Sequence, residues 1–214
     1  KPLINALAFL VSIVPGGDLG IAVIILTILV KLVLFPFSQK AIKNQAAMTM
    51  LAPELEKIKK SGASREEQAR LTFELYKKHK TNPFSGCLLV LIQIPIIFAL
   101  YYVFFNGIKF ESSLLYSFTH VPDQMNMIFL GIIDLSKKSL ILAILAGVSQ
   151  YLQAHFMPKP ASSPITTANP VPSFQESFGK SMQMQMKYVF PFLITWIAYS
   201  ISGAVALYWI TSNI

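Results

Sequence analysis

The stretch 81–108, TNPFSGCLLVLIQIPIIFALYYVFFNGI, contains no Asp, Glu, Lys or Arg. Two further stretches share that property, 139–158 (SLILAILAGVSQYLQAHFMP) and 188–214 (YVFPFLITWIAYSISGAVALYWITSNI). A helix rises about 1.5 Å per residue and a hydrocarbon core is about 30 Å thick, so roughly 20 residues of this kind cross it. Each stretch is long enough. The whole chain is 54% hydrophobic and only 13% charged, with a mean hydropathy of +0.55, and cannot hide that much apolar surface in one soluble core. The sequence therefore predicts an all-α fold, a polytopic bundle of transmembrane helices.

On the N-terminal side of the first stretch, residues 38–82 hold ten Lys or Arg and five Glu, a composition that belongs in water. Met48, Leu51, Leu55 and Ile58 are spaced as one helical stripe. Ser61-Gly62 should break that helix, and Ser64 with Glu67 matches a capping box that opens a second helix through about His79. This predicts a charged helical hairpin over 38–82, followed by a span over 84–105. Before the hairpin, residues 19–37 are apolar except for Thr27 and Lys31 and form the first span, with Pro36 marking its end. Residues 1–18 read as an interfacial amphipathic helix carrying Leu3, Leu7, Leu10 and Val14, closed by a Pro15-Gly16-Gly17-Asp18 turn. The chain begins at Lys1 without an initiator Met or signal peptide, so a natural N-terminal part is expected to precede it.

On the C-terminal side, 106–138 is an outer connector with Phe110, Tyr116 and Phe118, residues suited to the membrane-water boundary, and residues 129–133 are expected to dip into it. A third span covers 139–157, and a Pro, Ser and Thr-rich flexible loop occupies 158–181. The last uncharged run measures about 40 Å as a helix, more than one span and less than two. It reads as a fourth span at 182–200 and a fifth at 203–214 cut short by the chain end, with a single tilted helix as the alternative. The hairpin and the region 158–187 together hold thirteen of the eighteen basic residues, which places them in the cytoplasm and the N-terminus outside.

Lys31 is the residue that most needs explaining. An amine in mid-span costs about 2.5 to 3.5 kcal/mol even on the lenient insertion scale. Either it faces water or a partner, or its long stem snorkels to the cytoplasmic surface. Gln93, Gln150, Gln153, His155 and Trp209 are the other polar groups in the spans, and helix-to-helix hydrogen bonding is the default use of such side chains. Were several to share a cavity with Lys31, that cavity would be wet. Met182-Gln183-Met184-Gln185-Met186 reads as a helix start at the interface, or as a polarizable surface for apolar segments. The lone Cys87 excludes an internal disulfide and reads as a small packed residue.

No HExxH or GxSxG occurs, the three His residues are scattered, and all ten carboxylates lie outside the spans. No catalytic residue, metal site or cofactor is expected. The net charge of +8 is concentrated beside the spans, where anionic headgroups or ribosomal RNA would balance it. The alternatives to a protein-inserting role are a small-solute or anion transporter using Lys31 as its anion site, and an intramembrane protease.

The segment Leu75-Tyr76-Lys77-Lys78-His79-Lys80-Thr81-Asn82-Pro83-Phe84-Ser85-Gly86-Cys87-Leu88, with Leu91-Ile92-Gln93-Ile94-Pro95-Ile96-Ile97-Phe98-Ala99-Leu100-Tyr101-Tyr102 after it, resembles the YidC/Oxa/Alb family of membrane protein insertases. The likeness extends to Leu34-Phe35-Pro36-Phe37, to Phe129-Leu130-Gly131 with Asp134-Leu135, and to Gly203-Ala204-Val205-Ala206-Leu207-Tyr208-Trp209 with Ser212-Asn213. It implies five core spans around a hydrophilic groove open to the cytoplasm and the lipid and closed on the outer side. It places Lys31 in that groove, where the family normally has Arg, so the charge is kept and the planar fork lost. By the same resemblance Gln93, Gln150 and Trp209 line the groove. The hairpin, with its Met48, Leu51, Leu55 and Ile58 stripe, receives substrate. The implied partners are nascent membrane proteins and the lipid bilayer, with the Sec translocon and ribosomes beside them, around a monomeric core in the bacterial plasma membrane.

Overall fold

The computed structural model describes residues 1–82, 94–98, 101, 114–119, 122, 125–157, 181 and 184–214. Gln93, Cys87, Phe110 and Met182 lie outside the described residues. The chain divides into two compact units: residues 1–34, 93–155 and 187–214 form the first, and residues 35–92 and 156–186 the second.

The first unit contains helix α1 (Pro2–Ile13), a short turn at Pro15–Gly17, and the N-terminal part of α2 (Leu19–Met50). A two-stranded antiparallel ribbon follows, β1 (Ile128–Phe129) with β2 (Ile133–Asp134), and then α5 (Leu140–Phe156). A π-helical turn at Gln185–Val189 leads into α6 (Phe190–Ser200), and Ile201-Ser202 separates it from α7 (Gly203–Asn213). The break at Ser202, whose backbone is extended, gives two short helices in the last uncharged run rather than one. Helix α7 is buried on all sides from Gly203 to Trp209 and forms the centre of the unit. Leu7, Val11, Leu19, Val23, Ala146 and Ala198 complete the surrounding core.

The Leu7, Leu10 and Val14 stripe of α1 faces this core, while Phe9 and Ile13 lie on the exposed side. Asn5 is buried and anchors the helix. Its side-chain amide donates to the Leu114 carbonyl at 3.1 Å, and its Oδ1 accepts the Tyr116 amide at 2.7 Å. Pro36 does not end α2, which continues to Met50. Proline removes one backbone donor, the one that would meet the Leu32 carbonyl, but the turns on either side still carry the helix across that gap. Among the described residues α2 is the one helix long and apolar enough to cross a membrane by length and composition.

The second unit contains the remainder of α2 and the hairpin helices α3 (Ala52–Lys60) and α4 (Arg65–Lys78). The Met48 to Ile58 stripe is divided at Leu51, because Pro53 lacks the N–H that a continuous helix needs, and α3 restarts with that proline in its first turn. Gly62 turns the chain with φ of +71°, the left-handed region that favours glycine. Ser64 Oγ then accepts the Glu67 amide at 3.3 Å, capping α4. The Glu67 carboxylate is taken by Arg70 at 2.8 Å, so the cap is one half of the expected reciprocal pair.

Candidate functional site

Lys31 lies three turns into α2 in the first unit, and its Nζ donates to the backbone carbonyl of Ser212 on α7. The next residue of α7, Asn213, donates from Nδ2 to Ser149 Oγ on α5 at 3.0 Å. Ser149 in turn donates to the Ala146 carbonyl at 2.8 Å. One chain of polar contacts therefore runs from α2 through the last turn of α7 to α5, between helices that are otherwise apolar. Apolar surroundings give each of these bonds more weight than it would have in water, and leave any group that loses its partner exposed to a full desolvation cost.

Gln150 is the neighbour of Ser149 and only 7% exposed. Its amide approaches Gln153 Oε1 at 3.4 Å, and Gln153 itself is exposed, so a polar strip continues along α5 toward the surface. Lys31 is likewise exposed. Trp209 is buried one turn before Ser212 on α7, with its ring edge-on to Tyr208 at 6.2 Å between centroids. Of the four residues expected to line a groove, Lys31 is joined to the α7 strand of contacts, Gln150 adjoins its far end, and Trp209 lies on the connecting helix. Gln93 is outside the described residues.

Ser149 is not marked by the sequence, and Ser212 and Asn213 enter it through the family resemblance alone, with no site role. Their signal is small hydroxyl and amide side chains at the ends of apolar helices, a common pattern that acquires meaning only once the helices are placed side by side. A separate apolar cavity in the first unit is lined by Leu3, Val23, Leu26, Thr27, Val30, Ile96 and Tyr208. Thr27 satisfies its hydroxyl on the Val23 carbonyl at 2.7 Å, and among the described residues Lys31, Gln150 and Trp209 do not line this space.

In the second unit Leu51, Leu55, Leu75 and Tyr76 are buried together, with Met48 and Ile58 packed against them. The four hairpin residues therefore form the seam between the hairpin helices rather than an open apolar face. Burial pushes the Tyr76 hydroxyl above its ordinary pKa. The Lys60–Glu56 pair at 2.6 Å and the His79–Glu54 pair at 3.8 Å sit on the surface, where each contributes at most about 1 kcal/mol. Truncating the seam should matter more. Leu55→Ala is expected to destabilise the hairpin by about 2 to 4 kcal/mol, read as faster amide exchange at Leu75 and Tyr76; unchanged exchange there would show that the seam does not hold the hairpin.

Among the described residues of the connector, Asp134 is a perturbed acid. Asp134 accepts from Ser136 Oγ at 2.5 Å and pairs with Lys137 at 3.0 Å, and these contacts hold its carboxyl below the usual carboxylate range, the Ser136 bond being the larger cause. A depressed folded-state pKa contributes stability above the ordinary value that is lost as pH falls through the lowered one. Ser136→Ala should therefore move the Asp134 titration upward toward the ordinary value, as followed by carboxyl carbon chemical shifts; an unmoved midpoint would remove Ser136 as the cause.

A helical chain with a lysine inside a long apolar helix, hydrogen-bonded to the last turn of a neighbouring helix, has the make-up of a helical membrane protein. The model of the 60Kd inner membrane protein family matches residues 9–214, and the chain belongs to this family and to the bacterial inner membrane. It is 35% identical over 202 residues to a membrane protein insertase YidC of Fusobacterium nucleatum, covering 92% of this chain and 82% of that one. It is also 35% identical to the YidC of Clostridium acetobutylicum, over 96% of this chain and 74% of the relative. With the YidC of Magnetococcus marinus it shares 32% identity over 100% of its own length and only 33% of the relative, so some relatives are about three times longer.

Proposed function

We propose that this protein is a membrane protein insertase, moving transmembrane segments and short polar tails of nascent proteins from the cytoplasm into the bilayer. Five core spans surround a hydrophilic groove that contains Lys31, Gln93, Gln150 and Trp209. The N-terminus lies outside, with α1 along the outer surface and Phe9 and Ile13 toward lipid, and the hairpin is cytoplasmic. The observation that supports this reading best is the contact chain from Lys31 through Ser212 and Asn213 to Ser149, which sets a cation among polar groups within apolar helices.

Such a site lowers the cost of bringing an acidic tail part-way into a low-dielectric region, where opposite charges attract far more than in water. No bond is made or broken, and neither nucleotide nor metal is required. The driving force is burial of the substrate's own apolar helix, about 25 cal/mol per Å² removed from water. The hairpin receives the substrate as a unit, with its Met48 to Ile58 seam keeping the two helices together. The partners are nascent membrane proteins and lipid, with the Sec translocon and ribosome supplying substrate to a monomeric core.

The test is insertion of a single-span protein with an acidic outer tail into liposomes, scored by protease protection. Protection that depends on this protein supports the reading; equal protection in empty liposomes would overturn it for that substrate class.

A further inference from the structure

Where α5 ends and the chain turns into α6, four side chains of the first unit form one row. Tyr151 stacks on His155, one turn further along α5, at 6.0 Å between ring centroids, and its ring lies 6.5 Å from that of Tyr188. The Lys187 amine closes the row, 5.3 Å from the centre of the Tyr188 ring. Lys187 and Tyr188 belong to the π-helical turn, a rare winding that is frequent at functional sites. An ammonium has three donors, and a ring face engages it from one side only. Among the described residues no carboxylate pairs with Lys187, and the flanking stretches 139–158 and 188–214 contain none. The row is therefore open to anionic oxygens from outside the chain.

Away from the row, both helices present apolar side chains outward. On α5, Val148 and Ile144 continue the face of Tyr151 at helical spacing, and both are exposed. On α6, Phe192 and Trp196 follow Tyr188 at intervals of four residues and are exposed as well. A rise of 1.5 Å per residue sets Phe192 and Trp196 about 6 and 12 Å from the level of Tyr188, a depth that suits acyl chains beneath a headgroup. Tyrosine fits the boundary between the two zones, because its ring is apolar and its hydroxyl polar.

We infer that Lys187, Tyr188 and Tyr151 form a binding site for the headgroup of an anionic phospholipid, whose chains run along the exposed faces of α5 and α6. The phosphodiester accepts from Lys187 Nζ and from the two phenol hydroxyls, charge-assisted bonds that a neutral ligand would not make. His155 is a positioning residue that holds the Tyr151 ring. A soluble phosphate would meet the same donors and leave the apolar faces unused, and a zwitterionic lipid would bring a cation of its own toward Lys187. The inference rests on the reading of α5 and α6 as spans, and not on insertase activity.

The experiment uses the whole chain in phosphatidylcholine vesicles, into which phosphatidylglycerol with brominated chains is titrated, with brominated phosphatidylcholine in a parallel series. Bromine quenches tryptophan fluorescence on contact. Trp196 is the reporter, 66% exposed on the α6 face, whereas the other tryptophan, Trp209, is 8% exposed. Phosphatidylglycerol should quench the wild type as though bound roughly fivefold more tightly than phosphatidylcholine, the effect of one basic residue at an anionic surface. That preference should vanish in Lys187→Ala, persist in Lys187→Arg, and weaken in Tyr151→Phe and Tyr188→Phe, which keep the rings and remove the hydroxyls. Lys138→Ala is the control, since the Lys138 amine lies 6.0 Å from the ring of Tyr199 near the other end of α6. A preference lost there and kept in Lys187→Ala would overturn the assignment. Millimolar glycerophosphate, which has the headgroup chemistry without the chains, should leave the quenching unchanged; displacement by it would overturn the lipid as occupant. An unchanged preference in Lys187→Ala would overturn the site, and reduced substrate insertion alongside it would make the row a seat for substrate. A preference that follows Lys187 in vesicles where even wild type inserts nothing would keep the site and remove the insertase reading.

Discussion

Lys31→Ala is expected to lower the insertion of an acidic-tailed substrate by roughly 5- to 30-fold, corresponding to about 1 to 2 kcal/mol of lost attraction, while Lys31→Arg should retain most of the wild-type rate. The charge is what the site contributes: Lys31 is exposed, and among the described residues its amine is held by a carbonyl that carries no formal charge, which leaves the cation to attract an incoming carboxylate. Arginine keeps that cation and adds a planar fork. A substrate whose tail lacks acidic residues should be much less sensitive to Lys31→Ala. Protease protection of both substrates, in vesicles of equal protein content, distinguishes the cases. Equal losses for both would mean that Lys31 supports the packing of α7 through Ser212 instead of attracting charge, and undiminished insertion of the acidic tail would reduce it to an anchor.

Gly147→Leu is expected to prevent the first unit from packing, and Gly147→Ala to destabilise it by about 1 to 3 kcal/mol, the usual range for overpacking. A Cβ at Gly147 would lie 1.9 Å from Thr195 Oγ1, 3.0 Å from the Pro191 carbonyl and 3.3 Å from Thr195 Cβ. Helices α5 and α6 meet here backbone to side chain, the close approach that small residues allow in membranes. Thr195 donates to Pro191 at 2.9 Å, so swinging its hydroxyl aside for an alanine sacrifices that bond without relieving the backbone contact. Combining Gly147→Ala with Thr195→Ala should recover part of the loss, a coupling expected only of residues in contact. Thermal unfolding in detergent measures all three variants; additive effects in the double variant would refute the contact.

Much of the hairpin is legible in sequence, because its signals are local. Ser64 caps the amide three residues on, Gly62 supplies a left-handed turn, and the spacing of Met48, Leu51, Leu55 and Ile58 marks one face. What the spacing leaves open is the use of that face. An apolar stripe looks the same whether it meets a substrate or a neighbouring helix, and Leu75 and Tyr76 on α4 occupy it. The two prolines act differently: Pro36 sits within a helix that runs on, whereas Pro53 accompanies a division of the stripe at Leu51. A missing donor removes one bond in either place, and the surrounding contacts decide whether the helix survives it.

The sequence by itself determined that this is a helical membrane protein with a charged helical hairpin and a lysine within an apolar helix, because hydropathy, charge segregation and capping are properties of neighbouring residues. Only the tertiary structure decided that Lys31 meets Ser212 across 181 positions, that Asn213 meets Ser149, and that Asp18 accepts the Leu130 amide. Helical periodicity states which residues share a face, but not which other face will cover it. That choice is made by close packing and by the need of each buried polar group for a partner, and both are satisfied by residues far apart in the chain.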